Sequence, residues 1–276
     1  SNKDITVVIN TFNSEDQIYS CLDSINRSVS VIIIENSANN NFKRKIESQY
    51  SNVYCELANK NLGYGKGNNL GLSMVKTRFA LILNPDAQLK NDTLDNFLIT
   101  AENMRDFAII GPGIQEAKDT LEKKYNQKDI IETDNLKGFA MFLNLQQFKE
   151  IGFFDENFFI YFEEIDLCRR LKNIGLKIYK LPNVYVKHLG GKSHLQMNNY
   201  KMEIQRNWHY MWSLFYFNKK YNGYLFAFLF TFRKFISSFI KLILFYFIDK
   251  KKHEVYKHRF LGLLKSYLCL KANFRA

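Results

Sequence analysis

Residues that could bind or activate a ligand occur in four short segments of this chain, and each segment directly follows an apolar run. Ligands of open α/β sheets bind where the strands end. Carboxylates, an imidazole and small polar groups at such positions predict one polar site assembled from distant parts of the sequence. The segments are Thr11-Phe12-Asn13, Asn84-Pro85-Asp86, Phe162-Glu163-Glu164-Ile165-Asp166 and His188-Leu189-Gly190-Gly191.

Two of these residues could hold a divalent cation. Asp86 follows a strand-like run that ends at Leu83, and Pro85 turns the backbone so that the carboxylate stands at the strand end. His188 ends another apolar run, and an imidazole there can reach a metal or a diphosphate. The alternatives are an ordinary turn for Asp86 and a structural role for His188. An imidazole ligand favours Mn²⁺ over Ca²⁺.

A cluster of three carboxylates could supply a general base. Glu163, Glu164 and Asp166 follow six aromatic residues between positions 153 and 162. Carboxylates crowded beside apolar rings raise one another's pKa, which suits proton abstraction. Acidic residues in the first turn of a helix also complement the helix dipole, so a purely structural reading stays open.

Two further segments could contact a nucleotide. Glu35 ends the second predicted strand, where it could accept hydrogen bonds from a base or ribose, or simply face solvent. Residues 59–71 contain four glycines and four asparagines, which permit left-handed conformations and a close approach of backbone to ligand. The segment fits no established phosphate-loop pattern, so a plain glycine-rich loop is equally compatible with its spacing.

The elements that must position these residues alternate between strand and helix. Strands are predicted at 5–10, 29–35, 53–57 and 79–83, with helices at 42–50 and 67–76 and a capping box of Ser14 and Gln17 opening an earlier helix. This alternation predicts βαβ units in a mostly parallel sheet. Later elements are predicted as a helix at 163–173 and strands at 176–180 and 184–188, and residues 115–135 as a surface excursion over the site.

Composition limits the class of protein. A chain of 276 residues that is 46% hydrophobic can bury a full core. Its formal charge of +12 implies an anionic partner, and the cations crowd toward the C-terminus. The four cysteines form no CxxC pair, which argues against a zinc site or a disulfide framework and favours a reducing cytoplasm. The first residues show no secretory pattern, so we expect the chain to stay inside the cell.

The C-terminal region reads as a membrane-associating appendage. Residues 221–248 are aromatic and aliphatic, but Arg233, Lys234 and Lys241 interrupt them, leaving no apolar run near the ~20 residues that span a bilayer. A helix there is predicted to carry these cations with Ser237 and Ser238 on one face. The predicted apolar face contains Phe228, Phe232, Phe235, Phe239, Leu242 and Tyr246, and the basic residues that follow are Lys250, Lys251, Lys252, Lys257, Arg259 and Lys265. Such a helix suits an anionic membrane surface. A helical hairpin packed on the rest of the chain or on a second subunit is the alternative.

The order of the segments resembles the inverting family 2 glycosyltransferases of the GT-A fold, over roughly residues 4 to 215. The likeness is greatest to the rhamnosyltransferase-like branch that builds bacterial surface polysaccharides. The motifs that carry it are Thr11-Phe12-Asn13, Ile34-Glu35-Asn36-Ser37, residues 61–69, Asn84-Pro85-Asp86, Gly138-Phe139-Ala140-Met141, residues 162–170 and residues 188–193. The resemblance implies a GT-A catalytic domain at 1–215, a Rossmann-like α/β sheet flanked by helices, and a basic helical region at 216–276.

The resemblance also implies roles for single residues. Glu164 corresponds to the catalytic base, with Glu163 as the fallback because the family more often has Asp at this position. Asp86 and His188 correspond to the metal and diphosphate contacts, and the resemblance implies that they hold Mg²⁺ or Mn²⁺. Donor-binding positions carried over are Thr11, Phe12, Asn13, Glu35, Asn61, Gly63, Lys66, Asn68, Asn84, Asp86 and Gly138.

The function implied is the inverting transfer of rhamnose or a hexose from a dTDP- or UDP-sugar to a hydroxyl of a lipid-linked saccharide. The enzyme would work at the inner face of the plasma membrane. A membrane-docking or scaffolding protein with a non-catalytic sugar-nucleotide site is the alternative. Nucleic acid is not an expected partner, because the basic residues accompany an apolar helix. The oligomeric state is open, and a homo-oligomer is one option.

Overall fold

A computed structural model describes residues 2–104, 106–115, 129–188 and 196–275. These residues form nine strands and eight α-helices. The strands are β1 (Ile5–Thr11), β2 (Ser30–Glu35), β3 (Val53–Leu57), β4 (Phe79–Leu83), β5 (Ala87–Leu89), β6 (Phe107–Gln115), β7 (Ile131–Glu132), β8 (Ala140–Asn144) and β9 (Lys177–His188). The helices are α1 (Glu15–Asp23), α2 (Asn40–Gln49), α3 (Tyr64–Met74), α4 (Thr93–Asn103), α5 (Glu163–Asn173), α6 (Gln196–Asn222), α7 (Tyr224–Ile248) and α8 (Lys250–Tyr267).

All described strands join one sheet, in the order β3-β2-β1-β4-β8-β6-β9-β5, with β7 paired to β9. The first four strands in this order are parallel, as their βαβ spacing predicts. Beyond β4 the sheet is mixed, because β8 runs antiparallel to both β4 and β6. The two strands predicted at 176–180 and 184–188 are one strand, β9, whose register with β6 shifts near Pro182. Most of the predicted surface excursion falls at 116–128, outside the described residues.

Helices cover both faces of the sheet. The β-branched run of β1 predicts a strand buried on both sides, and Val7 and Val8 are both fully buried. Phe42 of α2 and Phe97 of α4 pack in the core on the face of Val7. Leu72 of α3 packs in the core on the face of Val8, together with residues of α5. The layered α/β architecture expected from the sequence is therefore present.

Two helix starts differ from the sequence-based prediction. Ser14 precedes α1, but its hydroxyl donates to the carbonyl of Phe12 at 3.1 Å and caps no helical N–H, so the predicted capping box is wrong. Helix α3 begins at Tyr64, three residues earlier than predicted. Gly63 makes this start possible, because its φ of 81° lies in the left-handed region that glycine adopts without strain.

The chain divides into two compact units. One contains residues 1–154 and 164–193 and holds the sheet, and the other contains residues 155–163 and 194–276 and is helical. The boundary predicted at 215/216 falls inside α6, which is continuous. In the helical unit, α6, α7 and α8 pack around Met211, Phe215, Ala227 and Leu263. Within the described ranges, no helix is both long and apolar enough to cross a membrane.

The inward face of α7 differs from the prediction. Ser238, expected beside the cations on a polar face, is buried together with Ala227 and Thr231. Phe228 and Phe235, expected on the outer apolar face, instead pack on Tyr267 of α8 at ring distances of 5.0 and 5.2 Å. The row of small side chains lets neighbouring helices approach closely, and so it sets which side of α7 faces inward.

Candidate functional site

The carboxyl ends of the parallel strands bring several predicted residues to one edge of the sheet. Thr11 at the end of β1 is in register with Glu35 at the end of β2. Beside β4, the N–H of Asn84 donates to the carbonyl of Phe139 at 2.8 Å, so the start of β8 joins the same edge. Segments separated by more than a hundred residues in sequence are therefore neighbours where open α/β sheets bind ligands.

Two asparagine side chains that the sequence analysis did not select connect this edge. Asn36 Nδ2 donates to Asn10 Oδ1 and, at 3.0 Å, to the carbonyl of Thr11. Asn36 Oδ1 accepts the N–H of Leu62 at 3.0 Å, and Asn10 Nδ2 donates to the carbonyl of Gly63 at 3.0 Å. This amide network ties the glycine-rich loop to the ends of β1 and β2. The sequence feature that could have indicated this network is Asn10, a polar residue inside the apolar run of β1.

Close packing holds the glycine-rich loop in place. A Cβ on Gly67 would lie 2.7 Å from Cγ and Nδ2 of Asn10, so only glycine fits there without a shift. Asn61 Oδ1 accepts the N–H of Gly63 at 3.0 Å. Asn68 is fully buried, and its Nδ2 donates to the carbonyl of Tyr64 at 3.0 Å. Of the predicted donor contacts in this loop, Lys66 is the exposed one.

Glu35 is held by the protein's own backbone. Its Oε1 accepts the N–H and hydroxyl of Ser37, and its Oε2 accepts the N–H of Asn39 at 2.8 Å. The side chain is only 2% exposed, so it fixes the turn after β2. The solvent-facing part of this edge comes from Phe12 and Asn13, both exposed after β1, while Thr11 is buried.

The structure brings the two predicted metal ligands together. Strand β5 pairs antiparallel with β9, and Ala87 lies opposite His188 in the register. His188 Nε2 lies 3.3 Å from Asp86 Oδ1, with the side chains 26% and 13% exposed. The ring of His188 stacks against Phe139 at 4.9 Å. The pair is thus anchored on one side and accessible to small ligands on the other.

The electrostatic effect of Asp86 reaches a nearby thiol. Burial raises the pKa of Cys21, and the negative charge of Asp86 raises it further. The thiol donates to the carbonyl of Asn84 at 3.6 Å. Cys21 is therefore a neutral packing group under this edge. Among the described residues, no cluster of three or more His, Cys, Asp or Glu side chains could hold a metal. At this site the described part of the chain therefore offers two donors, Asp86 and His188.

Of the three carboxylates at the start of α5, one is structural. Asp166 is fully buried, and its Oδ2 accepts from Arg170 Nε at 2.9 Å. The same guanidinium donates to the backbone carbonyls of Ile151 and Phe153. Burial raises the pKa of Glu164 above its ordinary value, which makes its carboxylate a better proton acceptor. Glu163, the fallback, is 3% exposed.

A strained turn precedes these carboxylates. Tyr161 and Phe162 have φ values of 73° and 72°, which non-glycine residues rarely adopt. Their rings pack on Tyr210 of α6 at 5.8 and 5.9 Å, and Ser213 donates to the carbonyl of Ile160 at 3.1 Å. Contacts with α6 therefore hold the strained backbone that leads into Glu163.

A small cavity opens beside β8. Its volume is about 220 Å³. Phe139, whose ring contacts His188, also lines this cavity. Lys137 and Lys180 supply the positive charge of the cavity. Next to it, Gly138 has no room for a side chain, because a Cβ would lie 2.8 Å from the Tyr64 hydroxyl, which donates to the Gly138 carbonyl. The remaining lining residues are Gly111, Pro112, Asn135, Leu136 and Ala140.

Comparison with known proteins identifies the class to which this fold and edge belong. The family described as Glycosyl transferase family 2 matches residues 6–169, more than half of the chain. The chain therefore belongs to glycosyl transferase family 2, as the motifs predict. The matched range includes Asp86 and Glu164 but ends before His188.

Individual relatives are distant. The low-salt glycan biosynthesis hexosyltransferase Agl10 of Haloferax volcanii is 24% identical over 63% of this chain and 64% of its own length, so the match spans less than two thirds of that protein. The N-acetylglucosaminyl-diphospho-decaprenol L-rhamnosyltransferase of Mycobacterium tuberculosis is 22% identical over 59% of this chain and 67% of its own.

A solved structure supports the fold. The mannosyltransferase PcManGT from Pyrobaculum calidifontis, solved with GDP-Man and Mn²⁺, superposes with a TM-score of 0.61 at 12% identity, over 95% of this chain and 86% of its own. At this level of identity the likeness shows the fold alone. It confirms the GT-A fold that the sequence motifs imply.

Proposed function

We propose that this protein is an inverting glycosyltransferase of surface polysaccharide synthesis. It would transfer rhamnose or a hexose from a nucleoside-diphosphate donor, dTDP- or UDP-linked, to a hydroxyl of a lipid-linked saccharide. The observation that carries the proposal is the Asp86–His188 pair, 3.3 Å apart at the edge of the sheet. The names of the two relatives, a hexosyltransferase and a rhamnosyltransferase that acts on a diphospho-decaprenol, support this substrate class.

Asp86 and His188 fit a divalent cation. A carboxylate oxygen and an imidazole nitrogen that approach each other to 3.3 Å can converge on one ion. This donor set suits Mn²⁺ and is compatible with Mg²⁺. When bound, the cation neutralises negative charge on the leaving diphosphate. The presence of Mn²⁺ in the PcManGT structure supports this assignment.

Glu164 is the proposed base. Its carboxylate takes the proton of the acceptor hydroxyl while that oxygen forms a bond to the anomeric carbon of the donor sugar. The bond from that carbon to the diphosphate oxygen breaks, and attack from the opposite face inverts the configuration. Because burial raises the pKa of Glu164, proton transfer to it is more favourable than to an ordinary carboxylate.

The acceptor places the proposed reaction at the inner face of the plasma membrane. We propose that the C-terminal helices hold the protein on the anionic surface there. Charge supports this, because residues 196–276 contain 15 Lys and Arg against three Asp and Glu, while residues 1–195 contain 24 of each. The non-catalytic alternative, a docking protein that binds sugar nucleotides, predicts donor binding without turnover.

A thermal-shift screen of UDP, dTDP and GDP, with and without MnCl₂, tests the site. One nucleotide should stabilise the protein only when Mn²⁺ is present, by about 5–10 °C at a hundredfold excess over Kd. Asp86→Asn should abolish this shift, and Asp95→Asn, at an exposed position of α4, should retain it. Absence of any shift, or a shift that survives Asp86→Asn, contradicts the proposal.

A further inference from the structure

The outward side of α7 is apolar apart from Arg233, which is exposed. Fourteen of the 22 large hydrophobic side chains that are exposed in the described residues belong to this one helix. The most exposed, Phe247 and Leu225, are 83% and 71% accessible. We define the α7 outer face by the residues that point away from α6 and α8. They are Leu225, Phe226, Leu229, Phe230, Phe232, Ile236, Ile240, Ile243, Leu244 and Phe247.

Only one side of α7 is open. The opposite side is buried through Ala227, Thr231 and Ser238, and Thr231 Oγ1 lies 3.0 Å from the hydroxyl of Tyr267 in α8. At 100° per residue these three positions share one narrow stripe, and Leu229, Ile240 and Phe247 lie on the side diametrically opposite. A helix fixed in this way can enter an apolar phase sideways, along its length.

The area of this face is too large for an ordinary monomer surface. Four of the ten side chains are Phe, which bury about 150–250 Å² each, and the other six are the somewhat smaller Leu and Ile, so at about half exposure the ten present on the order of 800 Å². Contiguous apolar patches on soluble monomers are typically a few hundred Å². The α7 outer face therefore requires a partner.

Charge identifies that partner. The whole formal charge of +12 lies in residues 196–276, because the rest of the chain is balanced. Lys250, Lys251 and Lys252 follow α7 after Asp249, which pairs with Lys252 at 3.7 Å, and Arg233 and Lys234 are exposed along the helix. A second copy would bring an equal positive charge to the same surface, whereas an anionic lipid surface has the opposite sign.

A groove at the end of α7 suits a lipid chain. Its volume is about 470 Å³ and its walls are apolar, formed by Leu242, Ile243, Tyr246 and Phe247. His253 and Lys257 of α8 also line it. An apolar trough lined in part by Lys257, whose side chain carries an ammonium group, matches a hydrocarbon chain attached to an anionic headgroup.

We propose that the α7 outer face lies in the plane of an anionic phospholipid bilayer, with its apolar side chains among the acyl chains. The lysines at positions 250–252 then contact headgroup phosphates. The lipid-facing residues differ from those predicted by the sequence pattern, because Phe228 and Phe235 pack inward. The inference deepens the proposed function, but the docking itself needs neither donor nor metal.

Co-sedimentation of the full chain with vesicles tests the proposal. We expect binding to vesicles of phosphatidylcholine mixed with phosphatidylglycerol, and at least roughly tenfold weaker binding for the triple variant Leu229→Ser, Ile240→Ser, Phe247→Ser. Replacing Lys250, Lys251 and Lys252 with Gln should cost about fivefold each. The matched control is Ile99→Ser with Ile174→Ser, because these side chains are 57% and 59% exposed in the sheet unit. Equal binding of wild type and triple variant overturns the proposal.

A fluorescence measurement keeps the test independent of folding of the triple variant. In a Cys269→Ser background, which removes the exposed thiol, an environment-sensitive dye on Leu229→Cys should shift to the blue when the vesicles are added. The same dye on Ile99→Cys should not shift. Absence of a shift at position 229 overturns the proposal, as does a stable dimer in sedimentation velocity that the triple variant dissociates. Because no nucleotide is used, these results are independent of whether glycosyl transfer is found.

Discussion

Replacing Asn36 with Ala should loosen the glycine-rich loop and weaken nucleotide binding together. Asn36 is 3% exposed, and its side chain binds three groups in two segments: the Asn10 amide and the Thr11 carbonyl of β1, and the N–H of Leu62 in the loop. The Thr11 carbonyl also accepts the backbone N–H of residue 36, so it keeps one partner in the variant. The Leu62 N–H and Asn10 Oδ1 lose the partner that Asn36 provides.

The magnitude follows from these contacts. Asn36→Ala removes three hydrogen bonds worth about 1 kcal/mol each, and two of these losses leave a part-buried polar group without that partner. The free energy of unfolding should therefore fall by about 2–4 kcal/mol. For a unit of this size that corresponds to a melting temperature lower by about 5–15 °C. Asn52→Ala is the matched control, because its Nδ2 makes one bond, to the carbonyl of Val29 at 2.7 Å. Asn52 precedes β3 and so lies at the opposite ends of the parallel strands from the site. Asn52→Ala should lower the free energy of unfolding by about 1 kcal/mol.

Thermal unfolding and isothermal titration calorimetry measure the two effects. With Mn²⁺ and whichever of UDP, dTDP and GDP binds wild type best, Asn36→Ala should bind at least about tenfold more weakly, a loss of about 1.4 kcal/mol. Asn52→Ala should bind like wild type. If Asn36→Ala melts no lower than Asn52→Ala and binds the nucleotide with unchanged affinity, the amide network does not position the loop.

Further substitutions test the remaining roles. Glu164→Gln should lower turnover by roughly 10²–10⁴, and wild-type turnover should rise with pH to a midpoint above the ordinary value of 4.5, because burial raises the pKa of Glu164. Because the pKa of Glu164 is raised in the folded protein, its protonated form contributes stability that is complete below the ordinary pKa. This contribution is lost as the pH rises through the pKa of the folded state. Glu164→Gln should therefore melt at a higher temperature than wild type at neutral pH, and at the same temperature in acid. His188→Gln should weaken the Mn²⁺ dependence of nucleotide binding by about tenfold or more, measured by metal titration. Gly67→Ala should lower stability by about 1–3 kcal/mol through its clash with Asn10, and an unchanged melting temperature would show that the amide can give way.

The sequence predicted the parallel half of the fold well, because buried β-branched runs alternate there with short helical segments. The resemblance to family 2 glycosyltransferases implied a shared role for Asp86 and His188, and the two side chains lie 3.3 Å apart. The strand predictions depend on local signals: an apolar run of fixed length, with a polar group at its end. The amphipathic character of α7 was likewise visible from its period.

The features that the sequence did not predict depend on pairing between distant segments. Whether β8 runs antiparallel between β4 and β6 is decided by backbone hydrogen bonds between distant segments. The Asn10–Asn36 network arises because two strand ends are adjacent in register. The side of α7 that turns inward is chosen by the small side chains at 227, 231 and 238. The first two leave no periodic signal in the sequence, whereas the third does, because the small residues at 227, 231 and 238 recur at helical spacing.

The pairing of β5 with β9 determines when the Asp86–His188 pair can form. Ala87 and His188 lie opposite each other, so the imidazole reaches Asp86 only when these two strands pair in this alignment. Side chains alternate between sheet faces, and a slip of one position would send the imidazole to the other side. During synthesis, a chain that has emerged as far as α5 carries the aspartate and both candidate bases but lacks the histidine. Ion binding with both donors must therefore await the final strand, which makes it a late reporter of correct sheet assembly.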